Sequence, residues 1–298
     1  MTHTFFETEN GREQLVCFNG AAAQLAGTLH LPKSPSSDTG VLIVVGGPQT
    51  RTGSHRQFIL LARFLASKGV PVLRYDYQGM GDSEGEKTEF LEATQDLPYA
   101  LDLLCKEANV GKVAVWGLCD AVSLLLMYLS CTQDQRIIRI IAANPWVRQA
   151  NTEAQAYLKN YYLNKLLDKR FWLKMIKLEV NIFSSLGDFI RKFLRAFSPG
   201  RSVTFSPEKG VPEFTVSNYV SCMLSGLRNF QGDFHLIISG KDLTAEEFLI
   251  LINSNSDWAE ALARVERSRL TIEDATHTFS SGAWREKVEK FTLNSLFS

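Results

Sequence analysis

The sequence predicts an α/β protein with a mostly parallel central sheet, helices on both faces of that sheet and an inserted helical cap. Short apolar runs rich in β-branched and aromatic residues alternate with segments of helical length. These runs are apolar on both faces, which is typical of parallel strands covered by helices. The alternation stops over residues 151–205, which are helical in pattern, aromatic and basic. We therefore expect a core of residues 1–150 and 206–298 and a cap of residues 151–205.

The predicted elements follow one another in a simple order. Two strands joined through Asn19 and Gly20 open the core as an antiparallel pair, EQLVCFNG and QLAGTLHLP. The alternating part then comprises the strand GVLIVVGG, a helix over residues 55–67, the strand VPVLRYDY, a helix over residues 89–108, the strand KVAVWG, a helix after residue 119 and the strand RIIRIIAAN. Beyond the cap, strand patterns return at DFHLIISG and SRLTIED, with helices between and after them.

Composition narrows the class of protein. The chain has 298 residues, 45% of them hydrophobic, and a formal net charge of zero, so nothing global favours a nucleic-acid partner. Five irregularly spaced cysteines without a CxxC pair indicate reduced thiols and a cytoplasmic location. The N-terminus lacks a secretory pattern, and no apolar run is long enough for an integral membrane segment. Because His and Cys residues show no metal-site spacing, we expect no metal and no cofactor.

The pentapeptide GLCDA joins the strand KVAVWG to the next helix. It has a small residue at each end, Gly117 and Ala121, with Cys119 in the middle. Small flanks allow the sharp, strained strand-to-helix turn that exposes the nucleophile in the G-x-S-x-G elbow of α/β hydrolases, from which Ala121 is a departure. We therefore take Cys119 as the candidate nucleophile. The alternative is that Cys119 fills a small apolar gap, as most buried free cysteines do.

A literal G-x-S-x-G pattern occurs in GDSEG and makes Ser83 a rival nucleophile. This pentapeptide follows the polar loop DYQGM and precedes the charged run EKTE. No apolar strand leads into it and no apolar helix leaves it, so its context does not fit an elbow. The sequence therefore favours Cys119 over Ser83.

The partners of a nucleophile in this fold follow it in the order acid, then base. Asp242 follows the strand DFHLIISG, and His277 lies in the loop before the last helix. Of the five histidines, His277 has the expected position; the alternative is a solvated or capping side chain. For Asp242 the alternative is an ordinary turn residue. Glu273 and Asp274 are rival acids because they lie close to His277 in sequence.

Two backbone amides are expected to bind the oxyanion of an acyl substrate. One is the amide of Asp120, which directly follows Cys119. The other is expected in the loop VVGGPQ, where Pro48 has no N–H group. We favour Gly47, with Gln49 as the second choice. The alternative is that the glycine pair of this loop forms an ordinary tight turn.

Further candidates for substrate binding are Gln49, Arg51, His55 and Trp146. Arg51 and His55 follow the oxyanion loop and can meet an anionic part of a substrate, although a solvated helix start is the more common role of such residues. In the cap, basic residues outnumber acids and interleave with aromatics. This pattern indicates either a lid with a solvated polar face or a surface for peripheral contact with anionic lipid or an acyl carrier. A lid rich in aromatics favours an apolar acyl group.

Three segments together resemble the α/β hydrolase superfamily and, more narrowly, the type 1 hydrolases associated with the exosortase A system of exopolysaccharide-producing bacteria. They are VVGGPQTRTGSHRQFILLARFLASKGVPVLRYDYQGMGDSEGE, GLCDA and HTFSS, and the likeness covers about residues 40–144 and 234–298. The resemblance implies an α/β-hydrolase fold and a triad of Cys119, Asp242 and His277. It also implies a genomic setting of polysaccharide export and protein sorting.

One part of this resemblance concerns the loop DYQGMGDSEG, which matches the D-x-x-G-x-G-x-S-x-G loop of many α/β hydrolases. The match implies that Gly79, Gly81 and Gly85 shape the turn and that Asp76 and Ser83 hold it by hydrogen bonds. Ser83 then has a structural role, which again favours Cys119 as the nucleophile.

These observations predict a hydrolase that cleaves an ester or thioester of a small-molecule acyl substrate through Cys119 and an acyl-enzyme intermediate. The alternatives are an acyltransferase with a hydroxyl acceptor in exopolysaccharide- or exosortase-linked metabolism, and a binding protein without catalytic activity. For Cys119 to become a thiolate, its pKa needs to be lowered by the positive end of the following helix and by a hydrogen bond to His277. The sequence predicts no oligomeric state.

Overall fold

A single sheet of nine strands forms the core of the described part of the chain. The computed structural model describes residues 4–9, 11–87, 90–148 and 214–298. The strands are β1 (Phe5–Thr8), β2 (Gly11–Asn19), β3 (Gln24–Pro32), β4 (Thr39–Val44), β5 (Val72–Tyr75), β6 (Lys112–Leu118), β7 (Ile137–Ala143), β8 (Asp233–Ser239) and β9 (Glu266–Ile272). Their order across the sheet is β1-β2-β3-β5-β4-β6-β7-β8-β9.

The pairing directions confirm the predicted mostly parallel sheet. The strands β1, β2, β3 and β5 pair antiparallel in that order, and every other neighbouring pair is parallel. The predicted antiparallel opening corresponds to β2 and β3. The sequence does not predict β1, because its four residues, FFET, are all exposed and show no alternation between buried and exposed positions.

Seven α-helices accompany the sheet within the described ranges. They are α1 (Gln57–Ser67), α2 (Leu97–Ala108), α3 (Asp120–Cys131), α4 (Tyr219–Asn229), α5 (Leu243–Ser254), α6 (Ser256–Val265) and α7 (Gly282–Phe297). The predicted cap, residues 151–205, lies outside the described residues and stays a prediction, as does its contact with lipid or a carrier.

Two predicted helices begin later than the sequence suggests. The helix expected from residue 89 begins at Leu97, after a short 3₁₀ turn, and Pro98 is its second residue. A proline is compatible with the first turn of a helix but interrupts its interior, so a helix running through this position is disfavoured. The helix expected from residue 55 begins at Gln57, because His55 and Arg56 have positive φ angles of 55° and 61°.

Strand β4 shows how the sheet is covered on both faces. Val41 and Ile43 belong to one apolar core, which includes side chains of α1 and α7. Leu42 and Val44 belong to the other, which includes side chains of α2, α3, α4, α5 and α6. All four side chains are 0% exposed. Burial of each such side chain contributes roughly 1.5–3 kcal/mol, so the sheet is stabilised by helices on both sides.

The helices α3 and α4 pack so closely at Gly226 that no side chain fits between them. A Cβ atom there would lie 1.8 Å from the carbonyl oxygen of Leu126. We expect Gly226→Ala to lower the free energy of unfolding by about 1–3 kcal/mol, because the backbone of α3 has to move. Urea unfolding followed by circular dichroism measures this change.

The matched control is Gly111→Ala, since a Cβ atom on Gly111 would have no neighbour within 4 Å. This substitution is expected to change the free energy of unfolding by no more than about 0.5 kcal/mol. Equal effects of the two substitutions would contradict the close packing of α3 and α4 at this point.

Candidate active site

Cys119 is the single residue between β6 and α3, and its backbone adopts φ 64° and ψ −126°. Residues with a side chain rarely have a positive φ, so neighbouring groups have to hold the chain in this conformation. The Cys119 amide donates to the Ala143 carbonyl at 3.0 Å, and the Cys119 carbonyl accepts from the amides of Val122 at 3.1 Å and Trp146 at 3.2 Å. The sharp strand-to-helix turn expected at GLCDA is therefore present.

The residues beside Cys119 have little room for larger side chains. A Cβ atom on Gly117 would lie 3.3 Å from the amide nitrogen of Val122 and 3.4 Å from the Cβ atom of Ala121. Ala121 is itself buried. The alanine that departs from the glycine pattern is thus accommodated, and both flanks are small because the first turn of α3 packs against the end of β6.

His277 and Asp242 meet beyond the ends of β9 and β8. The Nδ1 atom of His277 donates to Oδ2 of Asp242 at 2.8 Å, and the side chains are 31% and 8% exposed, respectively. Asp242 also caps α5, since its carboxylate accepts from the amides of Thr244 and Ala245, each at 3.3 Å. Of the rival acids, Asp274 forms an ion pair with Lys241 and both Asp274 and Glu273 are exposed.

A buried amide holds the backbone of the His277 loop. Asn144 directly follows β7 and is 0% exposed. Its Nδ2 donates to the His277 carbonyl at 3.0 Å and to Ser239 Oγ at 2.9 Å, and its Oδ1 accepts from the Ser239 amide at 2.8 Å. Ser239 Oγ donates to the Thr276 carbonyl at 3.1 Å. Neither Asn144 nor Ser239 is among the candidates that the sequence suggests.

The Cys119 thiol is half-buried, and this burial raises its pKa well above the ordinary value for cysteine. The negative charge of Asp120 raises the pKa further, while the Asp120 amide lowers it. Among the described residues, the thiol makes no hydrogen bond to His277. Burial therefore favours the neutral thiol, because the lowering of its pKa by the amide at the helix end is smaller than the rise caused by burial.

The glycine pair after β4 lies directly against the Cys119 turn. A Cβ atom on Gly46 would lie 2.4 Å from the Leu118 carbonyl oxygen and 2.3 Å from Oδ1 of Asp120. Gly47 has a φ of 60°, and its carbonyl accepts from the hydroxyl of Tyr77 at 3.0 Å. The loop and the turn are thus adjacent, as the two amides of an oxyanion site have to be.

The Asp120 side chain lies against the glycine loop after β4. Burial raises the pKa of its carboxyl group to about 6, against the opposing effects of the Gly47, Asp120 and Ala121 amides and of His277. Its Oδ1 atom is buried and has no hydrogen-bond partner within the described part of the chain. The sequence suggests a role only for the backbone of Asp120, because nothing local indicates where its side chain points.

Gln49 and His55 belong to the segment that leads into α1. Gln49 Oε1 accepts from the Ser54 amide at 3.0 Å and from Gln57 Nε2 at 3.2 Å. The Gln49 amide donates to the Gly46 carbonyl at 3.4 Å. Gln49 thereby anchors the start of α1, while His55 is exposed. The Gln49 amide thus donates within its own loop, whereas the Gly47 amide acts on the Asp120 carboxyl group beside the Cys119 turn, so Gly47 is the stronger candidate for binding an oxyanion.

Arg51 and Ser83 both hold the loop after β5. The Arg51 guanidinium pairs with the fully buried Asp76 and, at 2.5 Å, with Asp82. Ser83 Oγ donates to the Asp76 carbonyl and accepts from the Ala26 amide at 2.9 Å. These contacts give Arg51 and Ser83 structural roles, as the sequence suggests for Ser83.

An aromatic cluster of Phe90, Trp146 and Tyr219 adjoins the Cys119 turn. Trp146, whose amide donates to the Cys119 carbonyl, stacks on Tyr219 with a ring separation of 5.3 Å and an interplanar angle of 16°. The Phe90 ring meets Trp146 and Tyr219 edge-on, at 5.1 and 5.6 Å. The backbone of Trp146, a candidate from the sequence, therefore contacts the Cys119 turn, and the rings of Phe90 and Tyr219 pack on its side chain.

The titratable groups gathered at this end of the sheet include a thiol, an imidazole and carboxyl groups, a set suited to nucleophilic and acid–base chemistry.

Over the described ranges, no group of three or more His, Cys, Asp or Glu side chains is placed to hold a metal ion. Within those ranges, too, no helix combines the length and the hydropathy needed to cross a bilayer.

Replacing Asn144 with alanine should loosen the His277 loop. The substitution leaves the Ser239 amide and the His277 carbonyl buried without their partner, so we expect the free energy of unfolding to fall by about 1–3 kcal/mol. Urea unfolding provides the measurement. Asn229→Ala is the control, because Asn229 is exposed and donates to the Leu129 carbonyl at 3.2 Å. If both variants lose the same stability, Asn144 has no special role.

Part of the sequence is similar to curated proteins, whereas no known family model matches it. The chain is 30% identical over 108 residues to the lysophosphatidylserine lipase ABHD12 of Xenopus tropicalis. The aligned region covers 36% of this chain and 27% of that protein. It is 26% identical over 136 residues to protein ABHD12B of Homo sapiens. This aligned region covers 43% of this chain and 37% of that protein. The chain thus spans only 27% and 37% of the lengths of these relatives.

Solved structures match over nearly the whole chain. The esterase Pf2001 of Pyrococcus furiosus has a TM-score of 0.60 at 18% identity, covering 97% of this chain and 92% of that protein. The α/β hydrolase GrgF of Penicillium sp. sh18 has a TM-score of 0.59 at 15% identity, covering 95% and 97%. Together with the strand order and the parallel core, these matches show that the chain has the α/β-hydrolase fold.

Proposed function

We propose that this protein cleaves an ester or thioester of an acyl substrate, with Cys119 as nucleophile, His277 as base and Asp242 as the acid that orients the base. The hydrogen bond of 2.8 Å between His277 and Asp242 carries the proposal. It lies at the carboxyl ends of the parallel strands, where the strained Cys119 turn also lies. The strands β4, β6, β8 and β9 run in the same direction and bring these ends together.

The relatives support the class of bond that is cleaved. A lysophosphatidylserine lipase resembles part of the sequence, and an esterase shares the fold. Both names denote hydrolysis of an ester. Because one fold hosts many chemistries, the residues of the site carry the proposal, and the relatives narrow the choice of bond.

In the proposed acylation, the thiol stays neutral until it attacks. His277 takes the thiol proton through Nε2 while the sulfur of Cys119 bonds to the acyl carbon. Asp242 accepts from Nδ1–H and stabilises the imidazolium. The imidazolium then donates this proton to the leaving alcohol or thiol as its bond to the acyl carbon breaks, which leaves a thioester on Cys119.

Deacylation repeats these steps with water. His277 takes a proton from water, the water oxygen bonds to the acyl carbon, and the Cys119 sulfur leaves and regains a proton from the imidazolium. In both steps the amides of Asp120 and Gly47 are the proposed donors to the oxyanion. Gly47 is preferred to Gln49, because the Gly47 amide acts on a group beside the Cys119 turn while the Gln49 amide donates to the Gly46 carbonyl.

The aromatic cluster beside the Cys119 turn supports an apolar acyl group as the substrate part that binds there. Such surroundings also favour acyl transfer as a second candidate, because a site with little water allows the thioester to react with a hydroxyl acceptor. That alternative suits the proposed kinship with exosortase-associated hydrolases. All five cysteines are free thiols, which supports the proposed cytoplasmic location. An added alcohol that diverts the product to a new ester would favour transfer.

Brief exposure to p-nitrophenyl butyrate should place one butyryl group on Cys119, as measured by intact mass and peptide mapping. Cys119→Ala should take up no butyryl group. His277→Ala should be acylated about 10²- to 10⁴-fold more slowly, because no base removes the thiol proton.

Cys105→Ala is the matched control, since Cys105 is also half-buried and burial also raises its pKa. This variant should be acylated as fast as the unchanged protein. A butyryl group on Cys105, or a rate unaffected by loss of His277, would refute the proposal and favour a binding protein without catalytic activity.

A further inference from the structure

The Asp120 side chain is a charged group at the site that the proposed reaction does not use. Asp120 is the first residue of α3, where an acid ordinarily interacts with the helix N-terminus. Its Oδ1 atom, however, is buried without a hydrogen-bond partner in the part of the chain described. Leaving a carboxyl oxygen in this state costs free energy, so helix stabilisation alone does not account for its position.

The Asp120 carboxyl group lies against the oxyanion loop. A Cβ atom on Gly46 would come within 2.3 Å of its Oδ1, so the glycine leaves the space that the carboxyl group occupies. The amides of Gly47 and of Asp120 itself both act on this carboxyl group. They are the same two amides that are proposed to bind the substrate oxyanion. The carboxyl group therefore borders the place of the substrate carbonyl oxygen.

The charge state of Asp120 decides whether it helps or opposes the reaction. When ionised, it repels the oxyanion, and its charge already raises the pKa of the Cys119 thiol. When neutral, its O–H group is a hydrogen-bond donor. Burial raises its pKa to about 6, so the neutral form persists into the weakly acidic range. Among the described residues, the titratable groups that interact with it are the His277 imidazole, from the loop after β9, and the Cys119 thiol, while the glycine loop and the first turn of α3 contribute amides.

We propose that the neutral Asp120 carboxyl group is a third donor of the oxyanion site and contacts the carbonyl oxygen of the substrate. This role rests on the proposed function. The carboxyl O–H donates a hydrogen bond as the Cys119 sulfur adds to the acyl carbon, and it keeps its proton throughout. Once ionised, Asp120 has no hydrogen to donate and repels the oxyanion. Acylation therefore slows as the pH rises through the range in which Asp120 loses its proton.

The test compares the unchanged protein with Asp120→Asn and Asp120→Ala, using kcat/KM for p-nitrophenyl butyrate between pH 5 and pH 8.5. Asparagine keeps a donor and never ionises. Loss of the Asp120 charge also removes its effect on the pKa of Cys119, so the result is judged against Glu247→Gln, which removes another charge that raises the pKa of the same thiol. The ratio of Asp120→Asn to the unchanged protein should be nearly constant below about pH 6 and rise by up to about tenfold per pH unit above it. Asp120→Ala, which lacks the donor, should be about 10- to 10³-fold less active than Asp120→Asn at every pH.

The control is Glu247→Gln in α5. Glu247 is half-buried, its pKa is also raised by burial, and its charge also raises the pKa of Cys119. The ratio of this variant to the unchanged protein should not follow the rise seen with Asp120→Asn. A flat ratio for Asp120→Asn, or equal activity of Asp120→Ala and Asp120→Asn, overturns the role of Asp120 while acylation of Cys119 still supports the proposed function. If Cys119 takes up no butyryl group, the proposed function fails and the role of Asp120 fails with it.

Discussion

The one-residue connection between β6 and α3 is the constraint on which the rest of the site depends. Cys119 alone has to turn the chain from strand to helix, so it adopts a φ of 64°, a conformation that costs roughly 1–3 kcal/mol. Backbone hydrogen bonds to the end of β7 and to the loop after it offset this cost. The same turn requires Gly117 and Ala121 to be small and brings the Gly46 loop into contact. Strain, small flanks and adjacent amides are therefore consequences of one geometric requirement.

The imidazole is positioned from two sides by groups that water does not reach easily. Asn144 and Ser239 hold the backbone of the His277 loop, and Asp242 holds the ring through Nδ1. Hydrogen bonds in such surroundings are strong when every partner is present and costly when one is missing. The ring orientation thus depends on a buried polar network that continues from β7 through β8 to the loop after β9.

Local sequence patterns predict most of the sheet and suggest the three proposed catalytic residues, but they do not reveal contacts between distant segments. Apolar runs predict the parallel strands, and Cys119, Asp242 and His277 are proposed from their order along the chain and their positions relative to those strands and the last helix. Asn144 cannot be found this way, because its partners Ser239 and His277 lie 95 and 133 residues further along the chain. The surroundings of the Asp120 side chain likewise depend on a distant segment, because the glycine loop after β4 lies against it. The late start of α2 has a local cause, Pro98, that apolar periodicity does not register.

Asp242 has two tasks at once, since one carboxylate binds the His277 ring and caps the first turn of α5. Fraying of that turn and release of the ring are consequently coupled events that share the same hydrogen-bond acceptor. The amides of Thr244 and Ala245 are thereby linked to the hydrogen bond of the His277 ring, and their exchange with solvent reports on a contact made by another loop. An event at the imidazole can in this way reach the surface helix α5 without any rearrangement of the sheet.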